Sequence, residues 1–331
     1  MRPVSESPLL FLIVAAMAAA LSSGVIVLLL MRLRVTLDTP NDRSLHDSPT
    51  PRSGGLGILA GTLLGAMISI GVKEPAIWIA LGLALLSFAD DRINLPVAFR
   101  LAGHLVAAAV FTVLLGSGMP ILLWPVLVLG LCWMTNLYNF MDGADGLAGG
   151  MTLIGFAAYG ITAGLQGHVE IGVLSMCVAS AAAGFLVFNF PPARIFMGDV
   201  GSIPIGFLAG SIGLLGWREG AWPLIFPLIV FAPFIVDATV TLTKRSIRRE
   251  RVWNAHREHY YQRLILGGWS HRRAAIAEYL LMIVCAVAGL LATFVDFVAQ
   301  VSIVAILMLV LIVLTAMIDR RWPFLQRRKA T

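Results

Sequence analysis

Asn136-Leu-Tyr-Asn-Phe-Met-Asp-Gly-Ala-Asp-Gly-Leu-Ala-Gly149 lies between two long apolar runs. It carries Asn136, Asn139, Asp142 and Asp145 at a repeated spacing of three. On a helix, that spacing keeps all four on roughly one face. Gly143 and Gly146 let the backbone turn or approach a ligand closely. A carboxylate at the centre of a bilayer costs roughly 2.5–3.5 kcal/mol. Two of them therefore belong at a membrane edge, facing water or protein. The stretch is expected to form a polar site at a membrane surface for a cation and a phosphate-bearing ligand. A loop that merely caps a helix with Asp and Gly is the competing reading.

Composition decides the surroundings. The chain has 331 residues, 59% hydrophobic and 13% charged, with mean hydropathy +0.88. A soluble protein of this length carries about 25% charge, so the chain is expected to be an all-α polytopic membrane protein. A span needs about 20 apolar residues. Eleven stretches qualify, at about 8–31, 54–72, 75–89, 98–117, 119–137, 147–165, 170–190, 202–216, 221–243, 274–294 and 297–318. No small-residue cleavage site follows the first, which reads as a retained span rather than a removed signal peptide. Cys132, Cys177 and Cys285 fall in apolar runs without metal-ligand spacing.

The loops alternate in charge. Those around 71–74, 116–119, 166–170, 217–220 and 295–297 hold only Lys73 and Arg218 as basic residues. The other set, with loops at about 33–53, 90–97, 138–146, 191–201 and 244–273, holds Arg32, Arg34, Arg43, Arg52, Arg92, Arg100, Arg194, the cluster Lys244 to Arg273 and the tail Arg320 to Lys329. The second set is thereby placed in the cytoplasm, with the N-terminus outside and the C-terminus inside. The net charge of +6 reflects this asymmetry, not nucleic-acid binding. Asp38, Asp90, Asp91, Asp142, Asp145, Asp199, His256, His259 and His271 all fall on that side, so the chemistry is expected there. A transporter needs polar residues near the midplane and often an inverted repeat. His104 is the main intramembrane polar residue, read as a packed or hydrogen-bonding histidine.

Four further segments carry candidate chemistry. In the first cytoplasmic loop, Arg43, His46 and Arg52 offer charge for phosphate, and Gly54-Gly55 opens a helix whose free N–H groups can hold an anion. Asp90-Asp91-Arg92 places adjacent carboxylates at a helix C-terminus, where the macrodipole disfavours them; a cation, a base role or pairing with Arg92 would account for them. Phe196-Met-Gly-Asp-Val-Gly-Ser202 puts Asp199 at a helix start, as an N-cap by residue type or as a partner in a magnesium site. In 244–264, His256, Arg257 and His259 suit a diphosphate, while Arg245 to Arg251 reads as a basic helix on anionic lipid. Zinc is the rival for the histidines, with no Cys or third His nearby. Pro223, Pro227 and Pro233 are expected to bend the ninth span, and Asp237 near its inner end is a further site residue or a partner of Lys244.

Together these segments resemble the polyprenyl-phosphate N-acetylhexosamine-1-phosphate transferases. The resemblance is carried by Asp38-Thr-Pro-Asn with Pro51-Arg-Ser-Gly-Gly, Asp90-Asp91, Asn136-Leu-Tyr-Asn-Phe-Met-Asp-Gly-Ala-Asp-Gly, Phe196-Met-Gly-Asp-Val-Gly-Ser and His256-Arg-Glu-His-Tyr-Tyr-Gln-Arg, in order over essentially the whole chain. It implies an enzyme of the bacterial inner membrane. Such an enzyme transfers a sugar-1-phosphate from a UDP-sugar to undecaprenyl phosphate, releases UMP and requires Mg²⁺, for which Mn²⁺ substitutes; a homodimer is compatible with it. Carried over by position, Asp199 and Asn139 are implied as metal ligands. Asp90 and Asp91 are implied as the lipid-phosphate or metal-facing pair, one a base. Asn136, Asp142 and Asp145 fall to the nucleotide, and His256, Arg257 and His259 to the diphosphate or sugar.

Two departures narrow the donor. Members that load the muramyl-pentapeptide carry adjacent histidines where this chain has His256-Arg-Glu-His259. The pattern is closer to enzymes that start O-antigen or other surface glycans from UDP-GlcNAc or a 6-deoxy relative such as UDP-FucNAc or UDP-QuiNAc. The first loop also lacks a lysine found in some members, leaving Arg43 and Arg52 to replace it. The muramyl-pentapeptide transferases remain the alternative. A CDP-alcohol phosphatidyltransferase fits less well, since Asp142-Gly-Ala-Asp-Gly-Leu-Ala-Gly lacks the arginine its motif needs.

Overall fold

Each of the eleven apolar stretches is helical in the computed structural model, which describes residues 8–34, 36–39, 45, 48–116, 119–252 and 256–328. The helices are α1 (Pro8–Leu33), α2 (Gly55–Ser69), α3 (Pro75–Ile93), α4 (Val97–Leu115), α5 (Trp124–Phe140), α6 (Leu147–Leu165), α7 (Val169–Asn189) and α8 (Asp199–Arg218). They continue with α9 (Ile225–Val230), α10 (Ala232–Ile247), α11 (Tyr260–Leu266), α12 (His271–Ala292) and α13 (Phe297–Arg328). Two-residue strands β1 (Leu37–Asp38) and β2 (Thr50–Pro51) pair antiparallel, with Leu37 opposite Pro51 and Asp38 opposite Thr50.

Eight helices among the described residues are long and apolar enough to cross a membrane. Of the other stretches, α2 is short and α3 ends in Asp90-Asp91-Arg92. The ninth is not the continuous span expected over 221–243: it breaks at Phe231 into α9 and α10. Pro233 lacks an N–H and its ring crowds the carbonyl four residues earlier, so the first helix cannot run through. The prolines thus break this span where a bend was expected.

Packing separates an inner bundle from a lipid-facing ring. α7 lies against α1, α2 and α6, and α8 against α3 and α5. Tyr138, Phe156, Tyr159, Phe231 and Phe234 fill the space between α5, α6 and the broken span, all fully buried. Tyr138 and Tyr159 keep their hydroxyls satisfied: Tyr138 Oη bonds Thr152 Oγ1 at 2.7 Å, and Tyr159 Oη donates to Ala209 O at 3.0 Å. By contrast α13 exposes Val298, Ile306, Leu309 and Ile312, each more than half exposed. So large a continuous apolar face requires a non-aqueous partner, which a bilayer supplies.

Every loop that carries a candidate residue joins helices at one end of this bundle. There the C-termini of α1, α3, α5, α7 and α10 meet the N-termini of α2, α4, α6, α8 and α12. α2 and α8 cross at this end almost backbone to backbone. A Cβ on Gly55 would lie 2.1 Å from Gly201 Cα, and one on Gly201 would lie 2.4 Å from Gly55 Cα. No flexible side-chain end is there to yield. Gly55→Ala or Gly201→Ala is therefore expected to lower the detergent-solubilised Tm by an amount equivalent to at least about 1–3 kcal/mol. Gly82→Ala, on α3 with nothing within 4 Å of its added Cβ, is expected to leave Tm unchanged or raised. Equal effects in a thermal scan would contradict the packing assigned to the crossing.

Candidate active site

α5 ends at Phe140, and the chain turns through 141–146 before α6. Gly146, at φ +74°, makes that turn, a conformation that non-glycine residues avoid. Asn136 and Asn139 therefore sit on the helix while Asp142 and Asp145 sit in the turn, correcting the expectation of four side chains on one helical face. The two asparagines also diverge. Asn136 Nδ2 donates to Cys132 O at 2.7 Å and its Oδ1 lies 3.1 Å from His104 Nδ1, inside the bundle. Asn139 Oδ1 accepts Ser202 Oγ at 2.6 Å.

The first loop reaches this turn by extending the hairpin. Arg52 N–H donates to Thr36 O, Phe196 N–H to Pro51 O, Gly54 N–H to Phe196 O and Gly55 N–H to Met197 O, at 2.7–3.1 Å. Residues 51–55 thereby run alongside 196–197. Gly198 is held at φ +73°, and a Cβ there would lie 2.0 Å from Arg52 O. Gly198 also takes the N-cap position of α8 and makes no side-chain cap bond, so Asp199 is the first helical residue rather than the cap expected from its type.

The result is a cleft of about 300 Å³. Asp38, Arg52, Asn139, Asp142, Asp145 and Asp199 line it, as do Asn189, Gln262 and His271. Asp142 Oδ2 accepts Gly198 N–H at 3.1 Å. Asp145 accepts Ala193 N–H at 3.0 Å and lies 3.2 Å from His271 Nδ1, whose other nitrogen is 3.1 Å from Leu45 O. Asp199 accepts no hydrogen bond among the described residues. The aspartate pair separates: Asp90 binds Arg100 at 2.9 Å and the Leu95 N–H at 2.7 Å, whereas Asp91 binds Arg52. Neither lines the cleft; Asp91 reaches it through Arg52.

Acidic groups outnumber basic ones here: Asp38, Asp142, Asp145 and Asp199 line the cleft with Arg52. Partial burial opposes the Arg52 charge, but the Asp91 carboxylate and then Asp199 outweigh it and raise the guanidinium above its ordinary value. Burial, then the Asp199 charge, pushes the Asp142 carboxyl well above the carboxylate range; Gly198 N–H and Arg52 pull the other way. A divalent cation between these oxygens would remove the conflict. The donors fit a hard one: among the described residues Asp199 accepts no hydrogen bond, Asp142 accepts one at Oδ2 only, and Asn139 Oδ1 accepts only Ser202 Oγ and keeps a second lone pair. Among the described residues no three His, Cys, Asp or Glu side chains gather as a metal cage. Magnesium commonly takes one or two carboxylates and completes its shell with water and substrate phosphate.

The histidine segment lies beside the cleft without lining it. His259 is buried, with Nδ1 3.0 Å from Asp237 Oδ1 and its ring stacked near Phe140 and Tyr261. Burial, His259 and Arg245 pull His256 down to about 4, so it is neutral at pH 7. Asp237 pairs with His259 and not with Lys244, which binds Asp319. Within the basic segment Arg245 to Arg251, Arg245 and Arg248 are engaged by Glu250 and Glu258. Arg43, with Asp42, His46 and Asp47, lies outside the described residues. Asn189 and Gln262 were not anticipated as site residues, and His271 was noted only for its side of the membrane. Asn189 clamps two cleft loops, accepting Gly146 N–H at 3.0 Å and donating to Ile195 O at 2.8 Å; its place in Phe188-Asn-Phe-Pro-Pro192 was the available signal.

Residues 75–216 match the model of glycosyl transferase family 4. The chain is similar to a probable undecaprenyl-phosphate N-acetylglucosaminyl 1-phosphate transferase of Bacillus subtilis (strain 168), 28% identical over 84% of each chain. It is similar to a phospho-N-acetylmuramoyl-pentapeptide-transferase of Moorella thermoacetica, 31% identical over 84% of this chain and 96% of the relative. It is also similar to a decaprenyl-phosphate N-acetylglucosaminephosphotransferase of Mycolicibacterium smegmatis, 33% identical over 78% and 75%.

A carboxyl whose folded value lies above its unfolded one loses stability as pH rises through that interval. Cation-free protein is therefore expected to melt progressively lower above the ordinary carboxylate range. Asp142→Asn should flatten that slope and raise Tm at pH 7 in EDTA. A variant melting below wild type under those conditions would contradict the cost assigned to this charge.

Proposed function

Since the chain belongs to the polyprenyl-phosphate N-acetylhexosamine-1-phosphate transferases of glycosyl transferase family 4, we propose that it transfers N-acetylhexosamine-1-phosphate from a UDP-sugar to undecaprenyl phosphate, releasing UMP. The donor is UDP-GlcNAc or a 6-deoxy relative, and the product starts a lipid-linked surface glycan such as O-antigen. The observation that carries the reading is the Asp199 carboxylate, which accepts no hydrogen bond among the described residues and lies beside Asp142 and Arg52 in a cleft at a membrane edge. Two relatives carry N-acetylglucosamine in their names. The His256-Arg-Glu-His259 segment supports the same donor over a peptide-bearing one.

The setting is the bacterial inner membrane with the cleft facing the cytoplasm. Arg52, Arg100, Lys244, Arg245, Arg263 and Arg273 gather at the cleft end, against Lys73 and Arg218 in the loops at the other, a Lys/Arg excess that supports a cytoplasmic cleft.

Asp199, Asp142 and Asn139 would hold Mg²⁺. When bound, the ion supplies charge neutralisation for the donor's diphosphate. Arg52, oriented by Asp91, faces the same space and adds a fixed cation where charge develops. An oxygen of the lipid phosphate attacks the donor's β-phosphorus. The bond from that phosphorus to the oxygen bridging the α-phosphate breaks, and UMP leaves with the electron pair. A phosphate monoester is largely dianionic at neutral pH, so the acceptor is already a nucleophile and positioning is the main requirement. This favours direct transfer over an aspartyl-phosphate intermediate.

The test is UMP release by purified protein given undecaprenyl phosphate, Mg²⁺ and a panel of UDP-N-acetyl sugars. Lipid-dependent, EDTA-sensitive UMP from one sugar is expected. Asp199→Asn should lower the rate at least about 100-fold while keeping its elution profile. Folded wild-type protein that releases no UMP from any sugar would overturn the assignment.

A further inference from the structure

α11 is only seven residues long. A helix that short is not stable alone, so its orientation is set by whatever holds its ends. Its N-terminus sits on Asp237, a buried residue of α10 that does not line the catalytic cleft. Asp237 Oδ1 accepts Tyr260 N–H at 3.0 Å and Thr241 Oγ1–H at 3.2 Å, and lies 3.0 Å from His259 Nδ1. Its Oδ2 accepts Tyr261 N–H at 3.2 Å. One carboxylate thus gathers a side chain of its own helix, the residue before α11 and the first two N–H groups of α11.

The opposite face of α11 meets the aspartate turn. Tyr261 Oη donates to Phe140 O at 3.1 Å. Gln262 lines the cleft. Its Oε1 is occupied by His259 N–H at 3.2 Å, which fixes the amide with Nε2 beside Gly143: a Cβ on Gly143 would lie 3.4 Å from it. Behind α11, Arg263 bonds Asp319 of α13 at 2.8 Å and Glu258 O at 2.6 Å. The helix is pinned on three sides, and the Gln262 amide is held at the cleft wall beside Gly143, its side chain also hydrogen-bonded to Tyr261.

We propose that Asp237 is a positioning residue of the cleft, acting through α11 to aim the Gln262 amide at a phosphate or sugar oxygen of the donor. The inference rests on the transferase activity proposed above. An asparagine at 237 keeps the size but removes the charge, and turns an NH2 toward groups that are themselves donors.

Two measurements test this. In steady-state UMP release, Asp237→Asn and Gln262→Ala are each expected to lower kcat/KM roughly 10- to 100-fold. The double variant should be no slower than the slower single within about 2-fold, because residues acting as one unit are not additive. Multiplying losses, or normal kinetics in the folded Asp237→Asn protein with only a lowered Tm, would overturn the proposal. In amide hydrogen exchange, Asp237→Asn should speed exchange in 259–266 and 140–143 and leave α7 unchanged; unaltered exchange in those two segments would also overturn it. If wild type releases no UMP, the transferase assignment fails, while exchange still decides whether Asp237 holds α11. Should Asp237→Asn not fold, Thr241→Val removes one donor to the same carboxylate and is expected to shift both readouts the same way by a few-fold; no shift would overturn the proposal.

Discussion

The site depends on how closely two loops approach each other. Residues 51–55 lie in hydrogen-bonded register with 196–197, the Arg52 carbonyl occupies the space a Cβ on Gly198 would need, and Gly55 crosses Gly201 backbone to backbone. Without these glycines, α2 and α8 would be forced apart. With them, a guanidinium from the first loop and a carboxylate from the start of α8 enter one cleft beside the 141–146 turn. The contact is made of backbone, which leaves the side chains of Asp199 and of Arg52, the latter held by Asp91, to line the cleft.

That freedom is costly before a ligand arrives. Asp142 and Asp199 repel each other at a half-buried membrane edge, and one arginine, already shared with Asp91, cannot neutralise both. A protein selected for stability alone would fill such a cleft with apolar groups or pair every charge. The unresolved charge is what a divalent cation and a diphosphate would complete. The same arrangement explains why the elements around the cleft are tied so thoroughly. Asn189 and His271 fasten one cleft segment to another, Tyr279 of α12 donates to Gly146 O at 2.7 Å, and Asp237 ties α11 to α10. They restrain a site whose own charges push it open.

Much of this was legible in the sequence because membrane burial writes strong signals. Apolar length marked most of the long helices to within a few residues, though α13 runs on to Arg328, the ninth stretch breaks at Phe231 and the short α11 left no apolar signal; Asp142, Asp145, Asp199 and Arg52 stood out as charges between them. What was missed depends on contacts distant in sequence. The three-residue spacing of Asn136 to Asp145 mimicked a helix face, but α5 ends at Phe140 and the chain turns, with Gly146 at positive φ, while His104 on another helix draws Asn136 inward. Residue type nominated Asp199 as a cap; only the fit of Gly198 against Arg52 shows that the cap position is taken. Gln262 and Asn189 are ordinary polar residues until α11 and α7 are docked. Asp237 could be flagged, but its partners were visible only once the broken span folded back on residues 259–261.

The most direct test of the site is a titration with Mn²⁺ followed by electron paramagnetic resonance, in the presence of the UDP-sugar that supports turnover. Wild-type protein is expected to bind one ion, displaced by Mg²⁺, and both Asp199→Asn and Asp142→Asn should lose that binding while remaining folded. Undiminished binding in both variants would place the cation elsewhere and contradict the assignment of the cleft.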